Sequence, residues 1–573
     1  MSGTPTAVIS TPAAVPLGPM EQQHVFVEFT QLREKTKGVL EPITAMLAKH
    51  EQVIRTFGAV EQRTVASEAV TESSKGGFHL KVLLLLIIVS AMGGTFQHGL
   101  NMVLINAPSV YIKYFINETW LERYGTAMEE HALKATWSII VSVYSIGAVF
   151  GALIAGHLSV KYGRRNCLTF NNILTIVGAL SVGFSRMARS FEMILVARFM
   201  YGVTAGNGLN VHCMYLMECS PKKLRGIVTI TTAIFISVGK CLGQIIGLRE
   251  ILGSESVWPL LMAFNAVPAF IQLVTLPWFP ESPRYLLIDK GNRALSMNAL
   301  QRLWGKRDFS QELEEMQAER TAIKNERARS VWELCTDPSI RSQLLINMMM
   351  SFFIQLSGIN AIYSYAFELF QAAGIPDERI PYVSIGTGLI EMFTLLICAF
   401  LVERAGRKTL FCGGLGLMSL WTALLTVTYS LQQLVSWMPY CSLVIIFAYV
   451  FSYGVGPGGV AIILPSEIFL QSDRPAAYAI NGFLNWTGLF LVTIIFSFLV
   501  EGLGHLCFLI FFGVCLLLTI MGYFILLETR GKTLLEISEE FKNRKLWKNA
   551  PLRVAPNGTI PQSTVEIIMS TAF

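Results

Sequence analysis

The sequence has little charge for a chain of its length. Only 15% of its 573 residues are Asp, Glu, Lys or Arg, and 53% are hydrophobic, whereas about 25% charged residues is usual in soluble domains. This composition argues against a soluble protein. The net charge of +6 comes mainly from basic residues in short connections between apolar runs, which is typical of membrane proteins. We therefore expect a lipid bilayer around most of the chain and no nucleic-acid partner.

The sequence also lacks the patterns that mark metal centres and active sites. Its ten cysteines show neither metal-ligand spacing nor the framework of a disulfide-rich secreted protein. Cys241 and Cys398 lie inside apolar runs and are expected to act as small apolar side chains. Nowhere outside these runs does a nucleophile with a base, or a cluster of metal ligands, occur. We expect a protein that is not an enzyme and that needs no cofactor.

Long apolar runs are abundant. A helix needs about 20 mainly apolar residues to cross the hydrocarbon core of a bilayer, and twelve segments meet this requirement. The sequence thus predicts an all-α membrane protein with twelve transmembrane helices, which we call spans 1 to 12. Their predicted bounds are 81–106, 136–158, 167–185, 191–215, 227–248, 257–279, 344–367, 381–402, 409–430, 437–465, 476–499 and 505–527.

The segments outside the spans suggest a division into five parts. Residues 1–78 contain no continuous apolar region, so we expect a cytosolic N-terminal tail rather than a signal peptide. A first six-helix bundle is expected at 79–280 and a second at 344–528. The charges of 281–343 alternate in sign, which is typical of short solvated helices in a cytosolic linker. Residues 529–573 would form a cytosolic C-terminal tail.

Basic residues predict the orientation in the membrane. Arg164 follows span 2 and Arg407 follows span 8, so these connections are expected in the cytosol together with both termini. The connection between spans 1 and 2 then faces outward and carries the sequon Asn117-Glu118-Thr119, a predicted glycosylation site. The sequons at Asn485 and Asn557 fall in a span and in the cytosolic tail, where no glycan is expected.

Three signatures at the predicted cytosolic ends recur in the second half of the chain at nearly one offset, which indicates an internal repeat. Two matching six-helix halves with a solute site between them near the bilayer midplane are therefore expected. The repeated signatures are Gly163-Arg164-Arg165 with Gly406-Arg407-Lys408, Glu218 and Arg225 with Glu467 and Arg474, and Glu281 with Glu528.

Five further motifs resemble those of one known family. They are Phe96-Gln97-His98-Gly99-Leu100-Asn101, Pro280-Glu281-Ser282-Pro283-Arg284, Gln355-Leu356-Ser357-Gly358-Ile359-Asn360, Gly456-Pro457-Gly458 and Arg474-Pro475-Ala476-Ala477. Together they resemble the facilitative glucose transporters, sugar porters of the major facilitator superfamily, over about residues 80 to 540. The likeness is greatest to the second class, which includes fructose carriers and a urate carrier. The resemblance implies passive hexose transport across the plasma membrane by alternating access.

The resemblance also implies a substrate site lined by Gln244, Gln355, Asn360 and Trp486, and we expect Asn101 and Glu391 to belong to this site as well. A sugar exchanges its hydration for protein hydrogen bonds, and polar side chains on apolar helices can provide them. Gln355 and Asn360 are too far apart around a regular helix to face one cavity, so span 7 should be distorted at Gly358. Hydrogen bonds between helices are the alternative use of these amides, and packing against lipid is the alternative for Trp486.

Energy coupling depends on ionisable residues inside the spans. Proton-coupled relatives of this family carry an aspartate where this chain has Asn101, so passive transport is favoured. Lys240 in span 5 and Glu391 in span 8 lie at matching depths, and spans 5 and 8 adjoin across the halves in this superfamily. We therefore expect a buried Lys240–Glu391 pair near the substrate. The alternative is that Lys240 extends outward and Glu391 is protonated; a packing role is favoured for His98.

Nine charged residues are predicted to form ion pairs between the cytosolic ends of the two halves and so to close the inner gate. A break in span 10 at Gly456-Pro457 would mark another moving gate. The predicted gating residues are Arg164, Arg165, Glu218, Arg225, Glu403, Arg404, Arg407, Glu467 and Arg474.

Several positions depart from the family pattern. Glu391 replaces an asparagine, Ile354 the first of two glutamines, and Ile462 a tryptophan, so the site loses sugar-type hydrogen-bonding groups. Three functions remain open: a carrier of hexose such as glucose or fructose, a carrier of urate or another organic anion, and a non-transporting sugar sensor.

Overall fold

The computed structural model describes residues 76–541 except 222–223, 306–308, 326–330, 339, 433, 470–473, 531, 533–535 and 538–539. Every regular element in these ranges is helical. Ten helical segments there are long and apolar enough to cross a membrane. They correspond to the predicted spans other than 4 and 7. Span 4 carries buried polar side chains such as Arg198 and Asn207, and span 7 is broken into short helices.

The first half follows the predicted order, with spans 1 and 6 each divided in two. Span 1 comprises Gly76–Met92 and Thr95–Val103, which are separated by Gly93 and Gly94. The other helices are Glu130–Tyr162 (span 2), Arg164–Phe184 (span 3), Glu192–Cys219 (span 4), Arg225–Ile246 (span 5), and Trp258–Ala263 with Ala266–Thr275 (span 6).

Three helices, Arg293–Trp304, Ser310–Asn325 and Val331–Thr336, follow the first half in the predicted linker. Span 7 begins with Arg341–Met348, passes through a π-helical turn and a 3₁₀ turn, and ends with Ile359–Ser364 and Ala366–Ala372. The remaining helices are Ile380–Ala405 (span 8), Arg407–Leu431 (span 9), Met438–Tyr453 and Gly459–Ile468 (span 10), Arg474–Leu503 (span 11) and Cys507–Ile525 (span 12).

The irregular turns occur where the sequence predicts them. Gly358 adopts φ = 99°, a left-handed conformation that favours glycine, and it separates the 3₁₀ turn Gln355–Ser357 from the helix that follows. In span 10, Pro457 lies in a π-helical turn, Gly454–Gly458. A proline inside a helix removes a backbone donor and clashes with the preceding turn, so the helix must change its pitch there.

Glycines allow spans 1 and 5 to cross closely. A Cβ atom on Gly99 would overlap the carbonyl oxygen of Ile236, and one on Gly239 would overlap that of Phe96. Small residues at such crossings let backbones approach, which increases van der Waals contact in the absence of a hydrophobic driving force.

The two halves meet along several pairs of helices. Span 5 contacts span 8, span 2 contacts span 11, and the end of span 1 contacts span 7. These pairs confirm the predicted contact between spans 5 and 8. They also surround the centre of the bundle, where a site between the halves would lie.

The connection between spans 1 and 2 contains a helix, Ser109–Tyr124, which includes the predicted glycosylation site. The Asn117 side chain accepts a hydrogen bond from the Met128 N–H at 2.9 Å. The Thr119 hydroxyl is buried and donates to the Phe115 carbonyl. Both polar groups of the sequon therefore have protein partners, and glycosylation of Asn117 stays a prediction.

Candidate functional site

The basic ends of spans 3 and 4 are joined by an ion-pair network. The Arg164 guanidinium contacts Glu218 at 3.0 Å and Asp289 at 2.6 Å. Glu281 accepts the backbone N–H groups of Arg164 and Arg165 at 3.0 and 2.9 Å. A carboxylate at the start of span 3 thus binds free N–H groups where the helix dipole favours negative charge.

The second half repeats this network residue by residue. Arg407 contacts Glu467 at 2.8 Å, and Glu528 accepts the N–H groups of Arg407 and Lys408 at 2.9 and 3.1 Å. Thr529 donates to Glu467, as Ser282 does to Glu218 in the first half. The agreement confirms that the sequence repeat is structural.

These contacts differ from the predicted inner gate. The Arg164–Glu218 and Arg407–Glu467 pairs each lie within one half, because spans 3 and 4, and likewise spans 9 and 10, adjoin in the same bundle. The guanidinium of Arg165 donates to the Phe279 carbonyl at 3.0 Å, and Arg404 is exposed. The side chains of Arg225, Glu403 and Arg474 lie outside the described residues. In this conformation Arg164 and Arg407 thus pair with carboxylates of their own halves, and the inner gate between the halves stays a prediction.

Near the midplane, spans 5 and 8 are joined by two polar contacts one helical turn apart. Gln244 donates to the Thr387 hydroxyl at 3.1 Å. Lys240 donates to both carboxylate oxygens of Glu391 at 2.8 and 2.9 Å. The two charged side chains are 5% and 4% exposed, so the predicted buried pair is confirmed.

Span 7 completes the surroundings of Lys240. The Lys240 ammonium lies 3.8 Å from the centre of the Tyr363 ring, a cation–π contact. The Tyr363 side chain is buried and also lies beside Glu391. The Tyr363 carbonyl accepts a hydrogen bond from Asn106 of span 1. Spans 1, 5, 7 and 8 therefore converge on this pair.

The distortion of span 7 brings its two amides together. Asn360 donates to the Gln355 side-chain oxygen, and Gln355 donates to Asn485 of span 11 at 2.5 Å. The left-handed turn at Gly358 makes this possible, since a regular helix would separate the two side chains. The structure thus confirms the predicted distortion and adds Asn485, which the sequence marked only as part of a sequon.

Trp486 lies between the two halves and not against lipid. It is 0% exposed, and its ring meets His98 of span 1 edge to face, with centroids 4.9 Å apart. His98 also forms a 2.7 Å hydrogen bond with Tyr144 of span 2. The Trp486 indole N–H has no partner among the described residues. The favoured packing role of His98 is therefore confirmed, and a donor remains free at the centre.

Asn101 makes its contacts within the first half. Its side chain donates to the Gln97 carbonyl at 3.0 Å and accepts from Asn265 at 2.9 Å. Its own carbonyl accepts from Arg198 at 2.9 Å, a buried cation that the sequence analysis missed because a single arginine barely alters an apolar run. The placement of Asn101 in the substrate site gains no support from these contacts.

A cavity of about 210 Å³ lies between spans 1, 5, 7 and 8, at the end of the bundle opposite Arg164 and Arg407. Exposed Arg249 and Asp377 line its mouth, and Gln244 lines its inner part. The side-chain oxygens of Gln244 and Asn106 are buried and without hydrogen-bond partners in the described ranges. Unpaired buried oxygens in a polar cavity are acceptors for a ligand, because leaving them unpaired costs about 1–3 kcal/mol each.

Polar contacts join the two halves around this mouth. Lys113 contacts Glu368 at 2.8 Å, and Lys134 contacts Glu501 at 3.5 Å. The Tyr382 hydroxyl donates to Glu250 at 2.5 Å, and this hydrogen bond lowers the pKa of the Glu250 carboxyl. The described ion pairs between the halves are therefore Lys240–Glu391 and the pairs of Lys113 and Lys134. The last two lie at the end of the bundle opposite Arg164 and Arg407.

Comparison with known proteins gives a consistent result. The family model described as sugar (and other) transporter matches residues 86–541. Human facilitated glucose transporter member 11 of solute carrier family 2 is 44% identical over 80% of this chain and 93% of its own length. Mouse member 9 is 43% identical over 81% and 86%, and horse member 5 is 41% identical over 86% and 98%.

Among solved structures, the proton:xylose symporter XylE, a major facilitator superfamily protein bound to 6-bromo-6-deoxy-D-glucose, aligns with a TM-score of 0.69. The alignment covers 81% of this chain and 100% of XylE at 21% identity, which supports the fold alone. The helix order, the paired halves and the family match agree with the motifs in the sequence. The chain is therefore a multi-pass membrane protein that belongs to the sugar transporter family, with its relatives in solute carrier family 2.

Proposed function

We propose that this protein is a facilitative transporter that moves a hexose such as glucose or fructose across the plasma membrane by alternating access. One observation carries the proposal. Gln355, Asn360 and Trp486 lie at contacts between spans 1, 7 and 11. Gln244 lines the cavity between spans 1, 5, 7 and 8, in a chain whose relatives are named facilitated glucose transporters. Two free groups there, the Gln244 oxygen and the Trp486 N–H, offer an acceptor and a donor for sugar hydroxyls.

Transport would be passive. The amide of Asn101 cannot exchange a proton near neutral pH, and its partners within the first half are neutral groups and the cation Arg198. The Lys240 charge is balanced by Glu391. Hexose would therefore move down its own gradient, without a coupled proton.

The basic ends of the spans would face the cytosol, together with both termini and the linker 281–343. The bundles at 79–280 and 344–528 would move as the two rocking units. The contacts at Lys113–Glu368, Lys134–Glu501 and Tyr382–Glu250 would then hold the outer ends together, and they would separate when the site opens outward.

Transport of urate or another organic anion is the second candidate. It requires a positive charge for the ligand, and Lys240 is the cation nearest to Gln244 along span 5. Because Glu391 already neutralises Lys240, a neutral hexose is favoured. A non-transporting sugar sensor, with the tail 1–78 as its signalling part, is the third candidate.

Uptake into proteoliposomes tests the proposal. Purified protein is reconstituted, and the uptake of labelled glucose, fructose and urate is measured with and without a proton gradient. The proposal requires saturable hexose uptake that equilibrates without accumulation. Urate uptake alone would favour the anion carrier, whereas binding without uptake would favour the sensor.

A further inference from the structure

The Lys240–Glu391 pair is the feature that the proposed function leaves unexplained. A buried ion pair is no guarantee of stability, because removing two charges from water costs several kcal/mol per ion, and in a membrane span such residues usually serve function. Lys240 lies one turn from Gln244 on span 5, and Glu391 lies one turn from Thr387 on span 8. The charges thus adjoin the polar contact that ends the cavity.

Among the described residues, the aromatic neighbours of the pair add no net charge, whereas Arg249 and Asp377 lie at the mouth of the cavity. Glu391 is close to the hydroxyl-bearing rings of Tyr363 in span 7 and Tyr453 in span 10. Lys240 is close to His98 of span 1, whose ring binds Tyr144. Charge beside Gln244 is therefore balanced within one bidentate contact.

Arg198, a buried cation of span 4, has partners of its own that separate it from this pair. Arg198 donates to the carbonyls of Asn101, Ile140 and Val141. Those contacts lie in spans 1, 2 and 4 of the first half, whereas Lys240 and Glu391 join spans 5 and 8.

We propose that the Lys240–Glu391 pair determines charge selectivity, so that the transporter accepts neutral sugars and rejects anionic and cationic sugars of the same size. The inference rests on the proposed hexose transport and names the substrate class of the same site. The two charges must balance, because either one alone would attract sugars of the opposite charge. An unbalanced charge about 7 Å from a ligand changes its affinity by on the order of tenfold or more at an effective dielectric constant of about 20.

The test compares three probes of one shape: glucose, glucuronate and protonated glucosamine. Inhibition of labelled hexose uptake by each probe is measured for the wild-type protein and for two single variants. Glu391→Gln keeps the shape and leaves a cation, so glucuronate should inhibit about tenfold more strongly than in the wild type. Lys240→Met leaves an anion, so protonated glucosamine should gain instead. Single variants that transport hexose but keep the wild-type order of probes would overturn the proposal.

Two further variants separate charge selection from a mechanical role. Lys240→Met with Glu391→Gln removes both charges, and Lys240→Glu with Glu391→Lys reverses them; both should still favour the neutral probe. If the double neutral variant is correctly folded and has lost transport, the pair is a mechanical tie between the halves and the proposal fails. If the single variants do not fold, the two double variants still test the proposal. A double variant that prefers either charged probe would overturn the proposal.

Failure of the proposed function gives a different result. A wild-type protein that moves no hexose would contradict hexose transport itself. Charge preference would then be measured by the stabilisation of the purified variants against heat by the same three probes. Opposite preferences in the two single variants would support the role of the pair, and identical preferences would overturn it.

Discussion

Lys113, in the helix after span 1, forms an ion pair with Glu368 of span 7 that joins the two halves near the mouth of the cavity, with the ammonium 2.8 Å from the carboxylate. The side chains are 30% and 31% exposed, so water screens the pair and its contribution is about 0.2–1 kcal/mol. Such a contact is strong enough to bias an equilibrium between two conformations and weak enough to break in each cycle.

We expect Lys113→Ala to shift the population toward the outward-open state by a few-fold. The measure is the rate at which a membrane-impermeant thiol reagent modifies a cysteine at Ser384, which lines the cavity and is 9% exposed. Labelling should accelerate in the variant, and the reversed pair, Lys113→Glu with Glu368→Lys, should restore the slow rate. Equal rates in all three proteins would show that this pair does not hold the mouth closed.

Loss of the Gln244 amide should weaken hexose binding more than loss of its partner. Gln244→Leu removes an acceptor that has no protein partner in the described chain, so we expect KM to rise about tenfold, the equivalent of one hydrogen bond of about 1–3 kcal/mol. Thr387→Val removes only the hydroxyl that positions Gln244 and should raise KM less. Uptake kinetics measure both. If Thr387→Val raised KM as much as Gln244→Leu does, the role of Gln244 would be to hold spans 5 and 8 together and not to bind hexose.

The sequence predicted the helices well and the partners of charged residues less well. Twelve apolar runs and a repeated Gly-Arg signature depend on local composition, so they define spans and halves directly. The Lys240–Glu391 pair followed from matching depth together with the resemblance, because spans 5 and 8 adjoin in this superfamily and adjoining helices bring residues of equal depth together. By contrast, Arg164 and Glu218 were expected at the interface between the two halves. Sequence order does not reveal which face of span 3 turns toward span 4, so their pairing within one half was not predicted. Asp289 and Arg198 lie in no motif and Asn485 lies only in a sequon, so only the packed structure brings them to their partners.

The Arg407–Glu467 pair should contribute to stability and not to gating alone. The two side chains are 8% and 23% exposed, and breaking a largely buried pair leaves an uncompensated charge at a cost of about 3–5 kcal/mol. We therefore expect Arg407→Met to lower the unfolding temperature of the purified protein by several degrees. Arg404→Met, three residues earlier and exposed, is the matched control and should leave it unchanged. The same unfolding temperature in both variants would contradict a bracing role.

The crossing of spans 1 and 5 should tolerate no side chain at Gly99. An alanine Cβ there overlaps the Ile236 backbone oxygen, which cannot rotate away, so Gly99→Ala should greatly reduce the yield of monodisperse protein. Gly156→Ala is the control, because Gly156 is exposed in span 2 and a Cβ there meets no atom of the described chain within 4 Å. That change should be neutral or stabilise the helix by about 0.5–1 kcal/mol. Size-exclusion chromatography of the two variants compares them, and equal yields would mean that the helices can separate at this point.

Replacing Asn101 by aspartate should make transport sensitive to protons. The Asn101 side chain is 2% exposed, accepts from Asn265 and donates to the Gln97 carbonyl. A carboxylate can keep the first contact, but it can donate to Gln97 only after it binds a proton. Hexose uptake by Asn101→Asp should therefore rise several-fold with an inward proton gradient, whereas the wild type should be insensitive. Asn101→Ala, which loses both contacts but has no proton to exchange, should be slower and equally insensitive. A wild-type protein that accumulates hexose with the gradient would show that passive transport is the wrong assignment, and an insensitive aspartate variant would show that this position does not control coupling.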